Sequence, residues 1–137
     1  RSRRFDVRER TMKHRVELSE ALRLVPTAEG KRFAEVYRHQ TLQVEIYAPR
    51  GVDLQSPHTR DEVYIVISGK GRFFCDGETE PFGPGDFLFA PAGAVHRFEN
   101  FSDDLAVWVL FYGPEGGEKE SEKGSSASGG NLGRGRS

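Results

Sequence analysis

Gly85–Asn100 reads GDFLFAPAGAVHRFEN. Apolar residues lead into Pro91-Ala92-Gly93, and the chain resumes with a lone histidine, His96. Proline fixes φ and lacks an N–H, while glycine tolerates positive φ, so Pro91–Gly93 is a place for the chain to reverse. Phe87–Ala90 and Val95–Phe98 then read as two strands of a hairpin, with His96 early on the return strand. Upstream, His58 and Glu62 stand in a similar position at the start of the apolar run Val63–Ser68. Two imidazoles and one carboxylate brought together by hairpins would make a metal site.

Around these segments, short apolar runs alternate with turn signals. Thr41–Ala48 alternates cleanly, with Leu42, Val44, Ile46 and Ala48 on one face and Thr41, Gln43, Glu45 and Tyr47 on the other, the pattern of a half-buried strand. Lys31–Arg38 alternates more loosely. Arg72–Cys75 meets Asp76-Gly77, a hairpin dipeptide. Leu105–Tyr112 is apolar throughout, so both of its faces are expected to be covered. Val16–Val25 places Leu18, Ala21, Leu22 and Val25 on one face of a short helix, with Ser19 as candidate cap and Pro26 as stop. Seven or more short strands at this spacing predict an all-β sandwich or barrel.

The chain has 137 residues, enough for one domain, and its net charge of −1 argues against bulk attraction to nucleic acid or membrane. The single cysteine, Cys75, excludes an internal disulfide framework and fits a reducing cytoplasm. No apolar run is long enough to span a bilayer, and the charged N-terminus has no apolar stretch behind it, so no secretory signal is expected. Residues 1–15 are expected to form a flexible extension, 16–113 the barrel, and 114–137, rich in Gly, Ser, Glu and Lys, a disordered tail.

The two His-bearing segments resemble the paired motifs of the cupin superfamily, and the chain is identified as a single-domain type-2 member. The second motif requires Gly, Pro, Gly, His and Asn at fixed spacing, and Gly85, Pro91, Gly93, His96 and Asn100 match each position. In the first motif His58 fits the second histidine, Glu62 the glutamate and Gly69 the closing glycine, with Gly51 near the opening one. Ser56 falls where the family carries its first histidine, which is a departure. The resemblance covers roughly residues 41–112 and implies a small double-sheet jelly-roll barrel holding a metal or ligand inside. It does not choose a reaction, since cupins include oxygenases, lyases, isomerases, storage proteins and sensor domains.

His58, Glu62 and His96 are thus the expected ligands of a divalent transition metal (Fe, Mn, Ni, Cu or Zn), a 2-His-1-carboxylate set with open positions. Ser56 is a poor ligand, so the fourth position would go to water or substrate. Tyr47, Tyr64, Phe98 and Trp108 are expected to line a pocket for a small organic molecule. Asp61 is expected to be a solvated turn carboxylate, Arg97 to face outward, and His14 and His39 to be exposed. Two classes of function follow: a metal-dependent enzyme such as an oxygenase, lyase or isomerase, or a metal-free binding or sensor barrel. Neither a nucleic-acid nor a membrane partner is expected. A homodimer is expected, with Val63, Ile65 and Ile67 available as an apolar outer face.

Overall fold

The computed structural model describes residues 14–119; most of the expected N-terminal extension and C-terminal tail lies outside them. One short helix, α1 (Leu18–Leu22), precedes eight strands. They are β1 (Phe33–His39), β2 (Leu42–Tyr47), β3 (Asp61–Ser68), β4 (Gly71–Cys75), β5 (Glu78–Phe82), β6 (Phe87–Ala90), β7 (His96–Glu99) and β8 (Ala106–Tyr112). They form two antiparallel sheets, β1-β2-β8-β3-β6 and β5-β4-β7. Asp76-Gly77 makes the expected β4–β5 hairpin, in which Cys75 pairs with Glu78.

The reversal at Pro91–Gly93 differs from expectation. The strands on either side of it do not pair: β6 pairs with β3, and β7 pairs with β4. Pro91–Gly93 is therefore a corner between sheets. Turn chemistry sets where a chain reverses, but the partners available to each strand set which sheet it joins.

The core lies between the sheets. Tyr64, Val66, Val107, Val109, Phe111 and Ala90 from the larger sheet meet Phe73, Phe82 and Phe98 from the smaller. The rings pack edge-on or tilted, with Tyr64–Phe98 centroids 5.0 Å apart and Phe82–Phe98 5.3 Å apart, the arrangement that aromatic quadrupoles favour. A second cluster of Ala21, Val36 and Ile46 lies on the outer face, where Leu22, Val25, Val44 and Trp108 join it. Leu105–Tyr112 carried no alternation because β8 sits between these clusters, with Val107, Val109 and Phe111 turned to one and Trp108 to the other. The residue at the N-cap of α1 is Glu17, and no side chain caps it. Ser19 instead lies inside the helix, where its carbonyl accepts from Arg23 N.

Past Gly113, the chain still contacts the barrel. Gly116 N donates to Thr59 O at 2.6 Å and Glu118 N to Asp61 Oδ2 at 2.8 Å.

Candidate metal centre

Each residue of the trio comes from a different element. Glu62 lies on β3, flanked by Ala90 of β6 and Phe111 of β8, so its side chain projects from the middle of the larger sheet. His96 opens β7 opposite Cys75 of β4, in the smaller sheet. His58 sits in the loop before β3. Two bonds tie this loop to the corner: Gly93 N donates to His58 O at 2.7 Å, and Ala92 N to Asp61 Oδ1 at 2.9 Å. Gly93 has a φ of +82°, which favours glycine there. The two motifs are thus tied by one backbone bond and one bond to the Asp61 carboxylate.

Glu62 Oε1 lies 3.0 Å from His58 Nδ1 and 3.1 Å from His96 Nε2. One potential ligand atom from each of the three residues falls within 4.8 Å of the others. Glu62 is 1 % and His96 3 % exposed. His96 Nδ1 is 2.9 Å from Ala94 O. A carbonyl can only accept, so Nδ1 carries the proton and the neutral ring presents a bare lone pair at Nε2. That buried atom has no hydrogen-bond partner, and it faces a carboxylate oxygen. Two buried acceptors in contact require a proton or a cation between them.

The electrostatics agree. Burial pushes the Glu62 carboxyl up, but the adjoining His58 and His96 imidazoles and Tyr64 hydroxyl outweigh it and hold the group at about 2. Burial pushes His96 down, but the Glu62 contact, the Ala94 carbonyl and the nearby negative charges raise it overall. The site is built to keep Glu62 anionic and to draw positive charge to His96.

A cavity of about 1120 Å³ opens beside the trio, lined among others by Glu45, Tyr47, Ser56, His58, Glu62 and Phe111. Ser56 is exposed on its wall. Tyr47 also borders it. Tyr64 and Phe98 are core residues, with the Tyr64 hydroxyl donating to Gln55 Oε1 at 3.0 Å. Trp108 does not border the cavity: it opposes Ile46 of β2 and Ile65 of β3 and packs in the outer cluster, because its neighbours Val107 and Val109 take the inward positions.

Asp61 is buried, and its carboxylate holds the corner and the Glu118 amide. It is not a solvated turn residue. Arg97 turns outward over the Phe74 ring at 4.2 Å and donates to Glu99 at 2.6 Å, and His14 and His39 are exposed, as expected. The sequence left two residues unmarked, one behind the cavity wall and one on it. Asp53, 8 % exposed, accepts from the Tyr47 hydroxyl, Gln55 N, Gln55 Nε2 and Phe98 N. Glu45 has its carboxyl pushed up, first by burial and then by Glu62. The signal for Glu45 was the polar side of the β2 alternation: Gln43, Glu45 and Tyr47 all line the cavity.

Comparison with known proteins accords with this architecture. The family model described as a cupin domain, type 2, matches residues 43–112, about half of the chain. An uncharacterised protein of Streptomyces coelicolor is 36 % identical over 85 residues, which cover 61 % of this chain and 81 % of that one. Among solved structures, a cupin 2 conserved barrel domain protein from Salinispora arenicola superposes with a TM-score of 0.56 at 21 % identity, covering 76 % of this chain and 91 % of that one. The DMSP lyase DddQ from Ruegeria pomeroyi gives 0.52 at 24 %, covering 72 % and 55 % respectively. The chain belongs to the cupin superfamily, and its barrel is a type-2 cupin domain.

Proposed function

We propose that His58, Glu62 and His96 bind one divalent transition metal and that the adjoining cavity takes a small organic molecule. The observation that carries this reading is the buried Nε2 of His96, which lies 3.1 Å from Glu62 Oε1 and has no hydrogen-bond partner. Imidazole nitrogens and a carboxylate suit Fe, Mn, Ni, Cu or Zn. When bound, the metal supplies a Lewis acid for substrate oxygens. The chain's own residues do the rest: Ala94 O orients His96, the His58 hydrogen bond and the adjoining His96 and Tyr64 keep Glu62 ionised, and Phe111 packs against the His58 ring at 4.9 Å. Among the described residues no further His, Cys, Asp or Glu joins the cluster, which leaves its open positions to substrate.

Elemental analysis of protein purified without added metal tests this. Occupancy below about a tenth of an equivalent, with no uptake of any of the five ions on reconstitution, would overturn it.

A second reading, a metal-free binding or sensor barrel, draws on Ser56 at the family's first histidine position and on the His58–Glu62 hydrogen bond, which already closes part of the trio. A ligand that stabilises His58→Ala and His96→Ala variants as much as wild type would favour it. In either reading residues 16–113 are the working barrel. No described helix is long and apolar enough to cross a membrane. We place the protein in the cytoplasm on its lone, unpaired Cys75, and infer a homodimer built on the outer face of β3 and β6, where Phe87 and Phe89 are 63 % and 41 % exposed.

A further inference from the structure

The cavity beside the trio carries several cations, and most already have partners. Arg38 meets the Glu35 carboxylate at 2.7 Å, Lys31 stands over the Phe33 ring, and Arg60 is held by Gln43 Oε1 and two backbone carbonyls. Arg32 and Arg50 differ in converging on one acceptor. Arg32 Nε donates to Ala48 O at 2.7 Å, and Arg50 Nη1 donates to the same oxygen at 3.2 Å. Arg50 Nη1 also reaches Pro49 O and Leu105 O. Among the described residues, neither guanidinium meets a carboxylate. Two like charges are thus gathered at one carbonyl, and both line the cavity that contains His58 and Glu62. Burial of Arg32 and the nearby charge of Arg50 both push the Arg32 pKa down, as expected of a pair short of negative charge.

A carbonyl dipole cannot neutralise two full charges, and each fork keeps N–H groups that these bonds do not use. Guanidinium forks match carboxylate and phosphate oxygens in geometry and charge. The geometry points to Arg32 and Arg50 as an anion subsite: the cavity takes a small molecule whose carboxylate or phosphate sits on this pair while another of its polar groups reaches the His58–Glu62–His96 trio. The substrate class deepens the metal reading and rests on it only for the second contact. A cavity of about 1120 Å³ holds more than an isolated carboxylate, so one molecule can serve both ends.

The experiment titrates malonate, inorganic phosphate and the neutral analogue malonamide against the full chain by calorimetry, metal-loaded and metal-stripped. Wild type is compared with Arg50→Gln, Arg32→Lys and the double variant Arg32→Gln/Arg50→Gln. Arg50 is exposed, but its replacement frees the Pro49 and Leu105 carbonyls, so circular dichroism checks that each variant is folded. We expect at least one of the two anions to bind wild type, weakened about tenfold or more in the double variant, weakened by added salt, and retained in part by Arg32→Lys. Malonamide is expected not to bind. Preference for malonate or for phosphate identifies which anionic group the pair accepts. Equal anion affinity in wild type and the folded Arg50→Gln and double variants would overturn the subsite, as would equal binding of malonamide or no binding of either anion. Arginine-dependent anion binding by protein that takes up no metal would leave the subsite standing and remove the metal reading. Metal uptake without arginine-dependent anion binding would do the reverse.

Discussion

His96 Nε2 stands 3.1 Å from Glu62 Oε1 in the protein interior, and no hydrogen bond joins them. The contact costs stability unless something positive fills it, which separates metal binding from folding. Glu62→Gln replaces the carboxylate by an amide that can donate to Nε2. In metal-stripped protein this substitution is expected to be within about 1 kcal/mol of neutral, because a buried charge is exchanged for a neutral donor. Metal occupancy is expected to fall at least about tenfold, since a carboxylate ligand is lost. His96→Ala removes a ligand without that compensation and loses both metal and stability. Denaturation of stripped protein beside elemental analysis of loaded protein checks the pair; wild-type occupancy in Glu62→Gln would sink the assignment.

The same trio predicts opposite pH responses with and without metal. In stripped protein His96 is raised in the fold, so its contribution is complete below the ordinary imidazole value of 6.5 and is lost as pH rises through the raised value. Glu62 is depressed to about 2, so its contribution is complete above the ordinary 4.5 and is lost as pH falls towards 2. The stripped protein therefore draws most stability from the trio between about 4.5 and 6.5. Metal needs neutral imidazoles, so its affinity grows as pH rises through about 6.5. The Tm difference between loaded and stripped protein should widen from about pH 5 to 8. A difference that stays flat over that range would contradict histidine ligation.

The outer face of β3 and β6 gives a prediction about assembly. Val63 pairs with Phe89 and Ile65 with Phe87, and β6 is an edge strand, so the exposed rings extend a continuous apolar strip. Ile67 does not belong to that strip, because it packs against the outer cluster within the subunit. Light scattering is expected to give the mass of two chains for wild type and of one for Phe87→Glu/Phe89→Glu, with the barrel still folded. A wild-type mass of one chain at high protein concentration would remove the interface.

How far these features could be read in the sequence depended on punctuation. Gly85, Pro91, Gly93, His96 and Asn100 were legible because a corner needs proline and glycine at fixed places, and His58 and Glu62 because they open an apolar run. The pairing across Pro91–Gly93 was not legible, since a turn says nothing of whether its flanking strands share a sheet. Trp108 was misplaced for a related reason: on a strand covered on both sides, an amphipathic ring fits either face. Asp53 left no trace because its donors, Tyr47, Gln55 and Phe98, meet it only through the tertiary fold.

Two motif glycines with nearly equal φ separate conformational need from close packing. Gly69 (φ +89°) would place a Cβ 2.6 Å from Leu105 Cα, whereas Gly85 (φ +88°) would place one in open space. Gly85→Ala meets only the left-handed backbone cost, about 1 kcal/mol. Gly69→Ala adds a collision with backbone that cannot swing aside, and is expected to cost about 4 kcal/mol or prevent folding. Equal unfolding midpoints for the two variants would mean that the Gly69–Leu105 approach is looser than described.

Asp53 is expected to hold the cavity wall to β7. Its carboxylate receives the Phe98 amide at 2.8 Å, on the strand that His96 opens, and the Tyr47 hydroxyl from β2. Asp53→Ala leaves a buried N–H and a half-buried O–H without an acceptor, at about 1–3 kcal/mol each where water cannot replace it. Tyr47→Phe removes one donor while Gln55 and Phe98 remain, and is expected to cost only about 1 kcal/mol. Urea denaturation should therefore rank Asp53→Ala well below Tyr47→Phe. Metal occupancy should change little in either variant, because neither side chain belongs to the trio. If Asp53→Ala unfolds within about 0.5 kcal/mol of wild type, the carboxylate bears no structural weight, and its four donors find other partners when it is removed.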